Sequence, residues 1–95
     1  MKRVVVNTHI PLTEAEYSAL VKIARHTGCD TWFKIRQNSD GTYYVFDREN
    51  DEKMSFEGAI MLLSDSYAVT SASDCRLSSE EEKAWNELRK RADAC

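Results

Sequence analysis

Between residues 31 and 48 the chain reads TWFKIRQ, then NSDG, then TYYVFDR: two runs rich in aromatic and β-branched residues around a turn-forming tetrapeptide. The pattern predicts a β-hairpin, and it narrows the possible folds because successive side chains of a strand point to opposite faces. In the first run Phe33 and Ile35 share one face, and Trp32, Lys34 and Arg36 share the other. In the second, Tyr44 and Phe46 alternate with Tyr43, Val45 and Asp47. Asp40-Gly41 suits a tight turn with φ > 0 at both central positions. A two-residue loop centred there pairs Ile35 with Phe46, Gln37 with Tyr44 and Lys34 with Asp47, and a four-residue loop keeps that parity. A three-residue loop would put Phe46 on the Lys34 face and scatter the apolar set. Grouping the apolar residues therefore selects an even loop. The core face is expected to be Phe33, Ile35, Tyr44 and Phe46, and the outer face Trp32, Lys34, Arg36, Tyr43, Val45 and Asp47.

The flanking sequence supplies the rest of the domain. Residues 3–10, with three consecutive valines, read as a strand closed by Pro11. Thr13 and Glu16 form a capping box, with Leu12 placed to staple onto Tyr17. They open a helix that buries Tyr17, Leu20, Val21 and Ala24, wets Ser18, Lys22 and Arg25, and stops at Gly28. Residues 48–53 read as a charged connection. Ser55 caps a second helix, apolar at Phe56, Ala59, Ile60, Leu63 and Tyr67, and widened by Met61 and Leu62 into what should be the most buried helix. Gly58 in its first turn marks close packing. Residues 68–78 read as a linker, after which Ser78 and Glu81 box the start of a last helix over 79–94. Its thin apolar stripe is Trp85, Leu88, Ala92 and Cys95. The order β-α-β-β-α-α predicts a two-layer α+β domain with a three-stranded, mainly antiparallel sheet in order 1-3-2, covered on one face by helices.

At 95 residues the chain is expected to be a single domain, with its core in 3–67. A composition of 42% hydrophobic and 31% charged residues is that of an ordinary globular protein. The net charge of −3 and pI near 5.3 argue against a dedicated nucleic-acid binder, although a local basic stripe can outweigh the average. The apolar runs are too short for a signal peptide or a membrane span. Cys29, Cys75 and Cys95 are odd in number and irregular in spacing, which predicts reduced thiols and a cytoplasmic location.

Candidate chemistry is sparse. Cys29 lies close to His26, but a thiol beside a helix C-terminus faces the wrong end of the dipole for a lowered pKa. His26, Cys29, His9 and Asp30 do not complete a four-ligand zinc pattern, so no metal or cofactor is expected. The acidic runs Glu80-Glu81-Glu82 and Asp47/Glu49/Asp51/Glu52 read as solvated charge. What remains is surface. Trp32 and Tyr43 flank Lys34 and Arg36, residue types that anchor protein partners or stack bases. The last helix, with Trp85 and Leu88, is a second candidate surface: it could dimerise or bind a partner groove, but docking on its own core is the preferred reading.

The leading expectation is a non-enzymatic module that binds a protein partner through these residues, with homodimerisation open and no membrane role. The alternative is a nucleic-acid-binding regulator using the same hairpin face, with Lys2 and Arg3 added. A third reading is a thiol enzyme using Cys29.

Residues 3–29, RVVVNTHIPLTEAEYSALVKIARHTGC, look like the opening of a ribbon-helix-helix DNA-binding domain. In that family a second helix follows at once and the strand enters the major groove as a dimer. Here a hairpin over residues 31–48 takes the place of the second helix, so the resemblance does not extend beyond residue 29. In size, acidity and lack of a catalytic motif, the chain resembles the small accessory proteins of phages and mobile elements, including inhibitors of host defence such as anti-CRISPR proteins.

Overall fold

Thr13 opens the first helix as expected. Its hydroxyl accepts the Glu16 amide at 3.1 Å while Glu16 Oε1 accepts the Thr13 amide at 2.8 Å, satisfying two orphan donors at once. The computed structural model describes residues 8–69 and 75–93. The helix α1 spans Glu14–Thr27 and ends at Gly28, whose φ of 79° takes the left-handed C′ position. Its buried stripe is Ala19, Leu20, Ile23 and Ala24, so the helix is rotated from the expected Tyr17/Val21 orientation, and both of those residues are only half-buried. A 3-10 turn, Cys29–Thr31, leads into strand β1, Phe33–Gln37.

The hairpin of β1 with β2, Tyr43–Asp47, is antiparallel, but its register corrects the expected one. The pairs are Phe33 with Asp47, Lys34 with Phe46, Ile35 with Val45, Arg36 with Tyr44 and Gln37 with Tyr43. The Asn38 amide donates to the Thr42 carbonyl at 2.7 Å, and the Gly41 amide donates to the Asn38 carbonyl at 3.1 Å. Only Gly41, at φ 91°, is left-handed in this turn, whereas a type I′ turn needs two such residues. The loop is thus the odd, three-residue form. Phe33 and Ile35 keep their expected inward side, and the second strand is flipped, placing Val45 in the core and Phe46 outside.

A third strand, β3 (Glu52–Met54), stands where the sequence suggested only a charged connection. Asp47 builds the turn before it, accepting the Glu49 amide at 2.9 Å and the Asn50 side chain at 2.7 Å. The turn closes through Asp51 at φ 53°. These hydrogen bonds, the Asn50 side chain foremost, hold the Asp47 carboxyl below its ordinary pKa. The sheet order is β1-β2-β3. Of the strand expected over 3–10, residues 3–7 lie outside the described residues. Ile10 makes an antiparallel bridge to Tyr43, with both backbone hydrogen bonds present, so the expected antiparallel pairing of this segment with the second hairpin strand holds at that one residue. Asn38 Nδ2, donating to the Thr8 carbonyl at 2.6 Å, ties the same segment to the hairpin loop.

Ser55 caps helix α2, Phe56–Val69, by accepting the Gly58 amide at 3.2 Å. A Cβ on Gly58 would sit 2.8 Å from Ser55 Oγ, so the glycine makes room for the cap. This helix is less buried than expected. Phe56, Ala59, Ile60 and Leu63 enter the core, while Met61 and Leu62 face outward, Met61 at 59% exposure.

Helix α3, Ser79–Asp93, docks on its own domain. Trp85, Leu88 and Ala92 join the buried cluster formed by α1, α2 and the inner face of the sheet. Cys95 lies outside the described residues, as do residues 70–74 of the expected linker. Two buried glutamates fasten α3 to α1. Glu81 completes a capping box with Ser78 and also accepts the Ser18 hydroxyl and, at 2.7 Å, the Lys22 ammonium. Glu16, already boxed with Thr13, accepts the Arg91 guanidinium. The face of α1 expected to be wet is therefore in part an interhelical polar seam. Lys22 foremost, with Ser18 and the Ser78 amide, holds the Glu81 carboxyl down to about 2.

Candidate functional site

The corrected register decides which side chains the sheet presents outward. On β1 they are Lys34 and Arg36, on β2 Tyr44 and Phe46, and on β3 Lys53, which pairs with Phe46. Lys34, Arg36 and Lys53 are exposed, and the two rings are half-buried between them. The Arg36 guanidinium lies 4.7 Å from the Phe46 ring centroid, and the Lys53 ammonium lies 4.8 Å from that of Tyr44. Both contacts run diagonally across the strands and use the ring faces, where the π-electron density attracts a cation. The strand carboxylates, Asp47 and Glu52, pair with each other on the opposite parity, at the end of the sheet. Among the described residues, every charged side chain that the strands project from this face is a cation.

Of the residues expected to bind a partner, the structure brings only Lys34 and Arg36 to this surface. Tyr43 points inward and stacks on Tyr17 of α1 with ring centroids 4.9 Å apart. Trp32 precedes the strand and packs on Phe33 at 4.8 Å, half-buried against the core. Trp85 is 3% exposed and Leu88 fully buried, so both serve the core of this chain. Lys2 and Arg3 lie outside the described residues. Tyr44, Phe46 and Lys53 were missed. The signal for the first two was present in NSDG, because Asn at the first and Gly at the fourth position of a turn favour a type I turn, the basis of a three-residue hairpin loop. For Lys53 the signal was weak, since RENDEK carries no strand-forming residue.

The remaining candidates have structural environments. Cys29 is buried beside a helix end with its thiol 3.6 Å from Ser66 Oγ. His26 meets Tyr67 edge-on. A cleft of about 560 Å³ between α2 and α3 is lined in part by Tyr67, Cys75, Trp85 and Arg89, and burial pushes the Cys75 thiol up, away from the thiolate. Among the described residues no three His, Cys, Asp or Glu side chains gather in a way that could hold a metal ion. No described helix is long and apolar enough to cross a membrane. Comparison with family models, with curated proteins and with solved structures finds no match.

Proposed function

We propose that the chain is a non-enzymatic binding module whose working surface is the outer face of the sheet and whose partner presents negative charge to it. One observation carries this reading: in a chain of net charge −3, the three described strands project only cations and aromatic rings from that face. Segregation of this kind steers an anionic partner to one side of an otherwise acidic molecule. The rings supply contact area at little entropic cost, and arginine beside an aromatic is typical of residues that dominate interface energetics. The contacts of Arg36 and Lys53 with the rings oppose binding only weakly, since exposed cation–π pairs are worth about 0.5–1 kcal/mol. This surface retains Lys34 and Arg36 from the sequence expectation and adds Tyr44, Phe46 and Lys53. The buried setting of Cys29 and the raised pKa of Cys75 favour a binding role over thiol catalysis.

Retention on a polyanionic resin at pH 7.5 tests the reading, because an acidic protein is held there only by a localised basic face. The wild type should be retained and elute with moderate salt, while the triple variant Lys34→Ser/Arg36→Ser/Lys53→Ser should flow through with its fold intact by circular dichroism. Equal elution of the two proteins would remove the outer face as the working surface.

A further inference from the structure

We infer that the partner is a single-stranded nucleic acid, with Tyr44 and Phe46 as stacking platforms for two neighbouring bases and Lys34, Arg36 and Lys53 on its phosphates. The inference rests on the outer sheet face being the working surface, and it names what that surface reads. Tyr44 and Phe46 alternate on one strand, so their rings stand about 6.8 Å apart along it, a spacing that splayed bases of an extended single strand can follow. They present faces rather than edges: a planar guanidinium already lies over Phe46, and an ammonium lies over Tyr44. A base can take either position, because base–aromatic stacking is stronger than an exposed cation–π contact. The displaced Arg36 and Lys53 remain tethered beside the rings, where the phosphates of the stacked nucleotides pass. Lys34, paired with Phe46 across the strands, supplies a third cation on the opposite flank from Lys53. An acidic peptide would satisfy the three cations but has no use for the ring faces, and a duplex keeps its bases stacked on one another. Aromatic platforms within a basic field are the arrangement that binds single strands with little regard to sequence.

Fluorescence anisotropy on the intact chain tests this, using three labelled probes at fixed low salt: a ten-nucleotide mixed-pyrimidine single strand, the same sequence as a duplex, and poly-glutamate. The single strand should bind best. Tyr44→Leu and Phe46→Leu, which keep net charge and apolar bulk, should each weaken it roughly tenfold. Replacing Lys34 by serine should flatten the dependence of affinity on salt. Poly-glutamate bound as tightly as the single strand, with the leucine variants unchanged, would overturn the nucleic-acid inference and leave a binding face for acidic protein. Preference for the duplex would overturn it as well. Failure of all three probes to bind would sink both this inference and the proposed function.

Discussion

Glu81 reaches from the first turn of α3 to hold the Lys22 ammonium of α1 at 2.7 Å, and the same carboxylate closes its own helix's capping box on the Ser78 amide at 2.8 Å. One side chain thus starts a helix and docks it. Glu16 does the same at the other end of the seam, boxed with Thr13 and bound to Arg91. The docking buries Trp85 and Leu88 and takes these two side chains out of the candidate binding surface.

The Glu81 contacts make stability depend on acid. Its carboxyl is held near 2 against an ordinary value of 4.5, so its contribution is complete above pH 4.5 and is lost as the pH falls towards 2. Glu81→Gln should melt at a lower temperature than the wild type at pH 7, and the gap should narrow steadily from pH 4.5 to 2. Thermal melts across that range check this. A gap that stays constant with pH would mean that the carboxylate charge does not fasten the helix.

The hairpin register yields a sharp asymmetry between adjacent residues. Val45 is buried and Phe46 looks outward, so Val45→Asp should unfold the domain by burying an unpaired charge. Phe46→Ser should cost only about 1 kcal/mol, the worth of its cross-strand and cation–π contacts. Chemical denaturation of the two variants measures both. The reverse order would restore the even-loop register.

Gly41 offers an independent check on the loop. It adopts φ 91° with open space where a Cβ would sit, so Gly41→Ala pays backbone strain alone, about 1 kcal/mol. Gly41→Asn should lose less, because asparagine tolerates the left-handed region. If alanine and asparagine cost the same, the left-handed conformation does not govern the turn.

These residues show where the sequence was legible. Helix starts were read correctly at Thr13, Ser55 and Ser78 because a side-chain N-cap is a local hydrogen-bond pattern spanning four residues, closed into a full box at Thr13 and Ser78 by Glu16 and Glu81. The hairpin itself was evident, and so was the α+β class. The parity of β2 was misjudged because TYYVFD is apolar or aromatic on both faces, so alternation could not orient it. The deciding information lay in the turn, where Asn38 and Gly41 outweighed the pull of Asp40-Gly41 towards a two-residue loop. β3 was invisible because Lys53 and Glu52 owe their strand conformation to pairing with β2, a tertiary cause. The candidate site inherited these errors. Lys34 and Arg36 were found from β1, whereas the aromatic half of the surface was assigned to Tyr43 and Trp32 instead of Tyr44 and Phe46.

The most direct measurement is amide shift mapping by nuclear magnetic resonance, with the ten-nucleotide single strand titrated into the isotopically labelled chain. The amides of Lys34, Arg36, Tyr44, Phe46 and Lys53 should move together and saturate on one binding curve, while those of Trp85 and Leu88 stay in place. Shifts confined to α2 around Met61 and Leu62, or to the cleft between α2 and α3, would contradict the assignment of function to the outer face of the sheet.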